Sequence, residues 1–177
     1  HLIPENSVLT LSPTRNELEC LFQLSKALPV GWEVVVKVNP SMLSDLDTHP
    51  TSYYREMAKL PNVRFANPLM PSSALLAKAS AVACISGTAL LEGAIYGIPA
   101  FRWGRTEFEV VDSVFEFRRE DLRDQLVPRE SQNLLQYVQA CFNLGVRLDM
   151  RAWNVPLAEE GTAEQREEFR RQLDLME

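Results

Sequence analysis

Short runs of apolar and β-branched residues alternate with helix-patterned stretches through five rounds between Val8 and Arg102, and that alternation restricts the fold more than anything else in the chain. Connections of this length suit parallel crossovers, so the expectation is an α/β fold: a Rossmann-like, doubly wound parallel sheet of five to six strands with helices on both faces. The strand runs are Val8–Leu11, Glu33–Val38, Asn62–Phe65, Val82–Ile85 and the run that opens at Pro99. Between them, Thr14 with Glu17 spells a capping box, followed by Leu18, Leu21, Phe22, Leu24 and Leu28 at helical spacing. Tyr53, Tyr54, Met57 and Leu60 make a short helix closed by Pro61, and Ser72 or Ser73 caps another that runs through Ala79. Beyond Trp103 the alternation fades. One short strand within Phe108–Phe117, a helical turn over Glu120–Leu126 and a helix over Ser131–Leu144 with Leu134, Leu135, Val138 and Phe142 inward are expected. Thr162 and Gln165 then cap a last helix, so residues 1–150 read as the Rossmann-like domain and 151–177 as a C-terminal helical extension.

Ligands of such sheets bind beyond the carboxyl ends of the strands, and Ala81–Arg102 (AVACISGTALLEGAIYGIPAFR) shows one such end in full. Val82–Ile85 is too short for a helix and stops at Ser86-Gly87. Thr88–Tyr96 is helical, Gly97 supplies a left-handed end, and Pro99 opens the next strand. Two readings of the Ser86-Gly87-Thr88 turn stand side by side: ordinary capping of a helix, or free N–H groups that receive an anion such as phosphate. Glu92 bears on the choice. A capping box needs its acid three residues after the hydroxyl, whereas Glu92 follows Thr88 by four and lies on the same face one turn further in. An acid among Leu90, Leu91, Ala94 and Ile95 pairs with a buried donor or reaches a ligand hydroxyl.

Two other loops leave strand ends with polar residues. Lys37 ends the valine run VVVKVNP, where its ammonium either faces water at the strand terminus or meets a phosphate or sugar carboxylate. Asn39-Pro40 turns the chain, and the Asn39 side chain can bond its own backbone. Arg15 sits in a first helical turn, where a cation opposes the helix dipole; it is either a plain surface arginine or a contact for an anion.

Composition narrows the function classes. With 46% hydrophobic and 24% charged residues the chain is of globular type, and no apolar run approaches the roughly 20 residues that span a bilayer. The net charge of −6 argues against nucleic acid, and seven acids against three arginines in Leu157–Glu177 account for most of it. The region around the Ser86 turn is therefore near neutral and open to an anion. Cys20, Cys84 and Cys141 are scattered in apolar patterns and read as reduced core residues of a cytosolic protein. With His1 and His49 the only histidines, a histidine triad or multi-histidine metal site is not expected. The start at His1 suggests a fragment of a longer protein.

The block VVVKVNP, followed by LPNVRFANPLMPSSALLAKASAVACISGTALLEGAIYGIPAF, resembles the donor-binding half of glycosyltransferases of the B fold. It is most similar to bacterial capsule and surface polysaccharide synthesis proteins, some of which transfer Kdo from its CMP form. That family's pattern runs from a strand ending Lys-x-His-Pro, through Asn-Val and a loop before a leucine-rich helix, to Ser-Gly-Thr, Glu-Ala and Gly-x-Pro. The resemblance covers Glu33–Arg102, and its specific part is Ser-Gly-Thr to Gly-x-Pro.

The resemblance implies that Ser86, Gly87 and Thr88 hold the donor phosphate and that Glu92 holds the ribose hydroxyls. It further implies that the loop Asn67–Met70, through Asn67 and Leu69, faces the base by its backbone, and that Lys37 neutralises donor charge. Asn39 stands where the family has His, and Gly93 where it has Ala after the acid. The implied partners are a nucleotide-sugar donor, CMP- or UDP-linked, a glycan acceptor, and an N-terminal partner domain that supplies acceptor contacts and often the catalytic base. No separate cofactor or metal is implied, and the implied location is the cytoplasm, peripheral to the inner membrane. A nucleotide-sugar epimerase shares the fold and a similar turn but needs a histidine placed for proton transfer. A degenerate scaffold domain is the non-enzymatic alternative, which Asn39 keeps open.

Overall fold

The computed structural model describes residues 12–13, 16–40, 50–128 and 130–144, and the chain divides into two units, His1–Leu134 and Leu135–Glu177. The expected strand Val8–Leu11, Thr14, Arg15 and the helix after Thr162 lie outside the described residues. No helix among the described residues is long and apolar enough to cross a membrane.

Helix α1 (Glu17–Ala27) begins at Asn16, whose extended backbone and Oδ1 atom, accepting from Leu18 N–H at 2.9 Å, make it the cap in place of Thr14. The Glu17 carboxylate accepts the Tyr53 hydroxyl at 3.1 Å, and the capping box expected of it with Thr14 lies outside the described residues. Strand β1 is Val34–Val36, α2 is Thr51–Ala58 and β2 is Val63–Phe65. Helix α3 (Ser72–Leu76) opens after Pro71 without a side-chain cap and stops short of Ala79, so Ser72 and Ser73 lie inside its first turn and cap nothing. Strand β3 is Val82–Cys84, α4 is Ala89–Ile95, β4 is Ala100–Arg102 and β5 is Val114–Glu116, with a 3₁₀ turn at Glu107–Val110 between the last two. Gly97 takes φ 69°, the left-handed helix end its position suggested. A short α5 (Leu122–Gln125) completes the first unit.

All pairings among the described strands are parallel, and the fold is α/β. The single sheet of five to six strands is not what these residues form. They make two sheets, β1–β2 and β3–β4–β5, with Val34 opposite Val63, and Ala100 between Val82 and Val114. Among the described residues, a groove of about 1030 Å³ is lined by both β1 and β3. Val35, in the middle of β1, is 53% exposed while Val34 and Val36 beside it are half-buried, the alternation expected of a strand.

Helix α1 holds both sheets. Its Leu21 packs with Met57, Leu60 and Val63 over the first sheet, while Leu24 packs with Phe101, Leu122 and Leu126 over the second. Side chains alternate along a strand, so neighbouring Ala100 and Phe101 face opposite ways: Ala100 lies toward Gly93 of α4, and Phe101 toward α1. The second sheet thus carries helices on both faces, as the alternation required. Each fully buried side chain of the Leu90 or Phe101 kind contributes about 1.5–3 kcal/mol to this packing.

Gly93 is a spacer. A Cβ built there overlaps Val82 Cγ1 and comes within 3.6 Å of Ala100 Cβ, so the glycine lets α4 sit directly on the sheet. An alanine at this position is therefore not neutral. Although Ala favours a helix over Gly by up to about 1 kcal/mol, crowding a stiff, packed valine costs about 1–3 kcal/mol. Gly93→Ala is expected to lower the midpoint of denaturant unfolding; an unchanged or raised midpoint would show that Val82 yields freely.

Cys20 is buried, and burial, with Glu19 and Glu17 nearby, pushes its thiol up to about 12, which keeps it protonated and unreactive. Cys84 is half-buried, but Cys141 is exposed and is not a core residue. It lies on α6 (Leu134–Leu144). On that helix the covered stripe is Leu134, Tyr137 and Val138, and Leu135 and Phe142 are exposed rather than inward, because helical spacing aligns i, i+3 and i+4 on one face.

Candidate functional site

Strand β3 ends at Cys84, and Ile85, 3% exposed, anchors the turn that follows. The Ile85 carbonyl accepts the Gly104 N–H at 2.8 Å, which ties the exit of β3 to the exit of β4. Thr88 has helical backbone angles (φ −58°, ψ −19°), is exposed, and makes no capping hydrogen bond with its side chain. Ordinary hydroxyl capping therefore does not explain Thr88. The helix closes through its backbone, with Leu90 N–H on Gly87 O at 3.1 Å and Glu92 N–H on Thr88 O at 3.0 Å. Among the described residues, the N–H groups of Thr88 and Ala89 donate to no acceptor. Gly87 differs: its N–H donates to Cys84 Sγ at 3.3 Å, so this amide is already engaged. Ser86 is half-buried with its hydroxyl oxygen shielded from solvent.

Glu92 lies one turn beyond Thr88 on the same face and is half-buried. Its carboxylate has no hydrogen-bond or ion-pair partner among the described residues. A half-buried carboxylate without a donor loses hydration and regains little. Of the two roles open to it, pairing with a buried donor has no candidate among these residues.

At the end of β1, Lys37 is half-buried and forms no ion pair among the described residues. Lys37 and Asn39 line the same groove as Cys84, Ile85 and Ala89, so the ends of β1 and β3 open onto one cleft. Ser86, Gly87, Thr88 and Glu92 are not part of that lining, nor are Asn67 and Leu69. Asn67 instead closes its own loop. Its Oδ1 accepts Leu69 N–H at 2.9 Å and its carbonyl accepts Met70 N–H at 2.9 Å, which leaves the Leu69 side chain 78% exposed. The Leu69 and Met70 backbone donors are thus used within the loop. Arg15 lies outside the described residues.

One cation at the strand ends escaped the sequence reading. Arg102 ends β4 with its side chain only 16% exposed, donates to Gly104 O at 3.0 Å and pairs with Glu109 at 3.3 Å. Its position as the last residue of the apolar run IPAFR was the available signal. Glu109 also accepts from Arg105 at 3.1 Å, and that hydrogen bond, then the charges of Arg102 and Arg105, hold its carboxyl below the usual carboxylate range. A carboxyl with a depressed pKa in the folded state stabilises above its unfolded pKa, and the contribution disappears as pH falls through the folded one. Glu109→Gln should therefore melt below the wild type at neutral pH. The gap should close below about pH 4; a gap independent of pH would remove the charge from the explanation.

Comparison with protein-family models, with curated proteins and with solved structures finds no match to this chain.

Proposed function

We propose that this chain is the donor-binding domain of a glycosyltransferase that takes a nucleotide sugar in surface or capsular polysaccharide biosynthesis. The observation that carries the reading is Glu92: a half-buried acid without a partner among the described residues, placed one turn from a threonine that caps nothing. In this reading the carboxylate accepts ribose hydroxyls. Thr88 and the amides of Thr88 and Ala89 receive the adjoining phosphate, and Lys37 offsets its charge. A helix of seven residues acts here through those two amides more than through its dipole.

The chemistry is displacement at the anomeric carbon. An acceptor hydroxyl oxygen forms the new glycosidic bond, the bond from the anomeric carbon to the phosphate oxygen breaks, and the acceptor's proton goes to a base on a partner domain. The nucleotide leaves as an anion that Lys37 and the α4 amides stabilise. By itself the domain binds donor and transfers nothing. The fold belongs to the same reading: the two sheets are parts of one doubly wound sheet of five to six strands, in a cytoplasmic protein peripheral to the inner membrane.

Calorimetric titration of CMP, UDP and GDP against the purified chain tests the reading. Saturable binding of one of them is expected. Failure of all three to bind a folded chain would favour a scaffold domain, a role consistent with Asn39 in place of His and with the engaged Gly87 amide.

A further inference from the structure

We propose that Arg102 is a second cation of the donor site, and that its Nε–H takes a phosphate oxygen of the donor at the exits of β3 and β4. The inference rests on the donor-site reading of the turn before α4 and adds a residue to it.

The position follows from the sheet. Arg102 ends β4 directly opposite Cys84, which ends β3. Partners in a parallel pair send their side chains to the same face, and every second residue along a strand shares that face. A Cβ on Gly93 of α4 would meet both Val82 and Ala100, so those two, and with them Cys84 and Arg102, project on the α4 side. Cys84 Sγ accepts the Gly87 N–H, which places the Ser86–Thr88 turn on that same side. The 3₁₀ turn borders Arg102 as well, since Glu109 comes within 3.3 Å of its guanidinium. This agrees with the topology: β3, β4 and β5 succeed one another in one direction, and right-handed crossovers between them fall on one face. Arg102 therefore stands between two crossovers at the carboxyl ends of the strands, where ligands of parallel sheets bind.

Its charge is only partly met. The side chain is 16% exposed, yet its carboxylate partner Glu109 is shared with Arg105, so two arginines against one glutamate leave the cluster at +1. One guanidinium nitrogen donates to Gly104 O at 3.0 Å and another approaches Glu109, while Nε is shielded from solvent and bonds no acceptor among the described residues. A buried donor on a charged group is costly to leave unmade. A phosphate oxygen supplies both the acceptor and the missing negative charge, and a guanidinium stays charged at any working pH. Glu109 and Gly104 O then orient the cation without cancelling it.

The test is a titration of the isotope-labelled full chain with inorganic pyrophosphate, followed at the arginine Nε–H signals; that of Arg102 is assigned by its loss in Arg102→Lys. Pyrophosphate should shift the Arg102 signal saturably and leave that of exposed Arg123 still. Arg102→Lys keeps a cation beside Glu109 but has no Nε–H, and should bind pyrophosphate about tenfold to a hundredfold more weakly; Arg123→Lys should bind as the wild type does. If pyrophosphate moves the Thr88 and Glu92 amides but not the Arg102 Nε–H, or if Arg102→Lys binds as tightly as wild type, Arg102 is a structural staple and the proposal falls while the donor-site reading stands. Failure of pyrophosphate and of CMP, UDP and GDP to bind the folded chain would overturn both.

Discussion

Phe101→Ala is expected to cost about 3–5 kcal/mol, the range for removing a large aromatic side chain from a closed core. Phe101 is 1% exposed, packs with Leu24, Leu122 and Leu126, and has the Phe115 ring at a centroid distance of 5.9 Å. Its neighbours come from α1, β5 and α5, so collapse into the vacated space would require several elements to shift together. Against a total stability of about 5–15 kcal/mol for a domain of ordinary size, the loss is a large fraction. Denaturant unfolding should show a much lower midpoint with an unchanged slope. Val30→Ala, at a fully exposed position, should stay within about 0.5 kcal/mol of wild type. A Phe101→Ala loss below about 1 kcal/mol would mean that the second sheet and α1 do not form one core.

Glu92→Ala should weaken binding of the preferred nucleotide about tenfold to a hundredfold. Hydrogen bonds to a charged group contribute about 1.5–3 kcal/mol, and each 1.4 kcal/mol is a factor of ten. Alanine is at least as good a helix former as glutamate, so the fold should survive with α4 intact. Glu120→Ala removes the same charge at an exposed position and should leave affinity unchanged. Should both variants weaken binding equally, the effect would be a long-range charge term and Glu92 would not touch the ribose.

Periodicity conveyed the elements well where packing and local chemistry agreed. The valine run, Val82–Ile85 and the left-handed Gly97 stand where the pattern put them, though each strand is only three residues long by its hydrogen bonds. Helix starts were less legible. Asn16 caps α1 because its side chain reaches the Leu18 amide, a competition among neighbouring polar residues that spacing alone does not decide. Lys37 and Glu92 were legible as charged residues in apolar settings, and both are half-buried without partners among the described residues.

The engagement of Gly87 N–H by Cys84 Sγ and the self-closed loop at Asn67 were hidden, since both depend on where a side chain three or two residues away points. The constraint on Gly93 comes from Val82 on another element, which the helical pattern around it does not name. Arg102 was missed for the same kind of reason: its partner Glu109 lies on a 3₁₀ turn that the fading alternation did not mark.

The most direct measurement is an amide chemical-shift titration of the isotope-labelled chain with the nucleotide that binds in calorimetry. The donor-site account predicts saturable shifts at Thr88, Ala89 and Glu92, with smaller ones at Lys37 and Asn39, and none at Val30 or Met57. Binding that leaves Thr88, Ala89 and Glu92 unmoved while shifting residues elsewhere would contradict it.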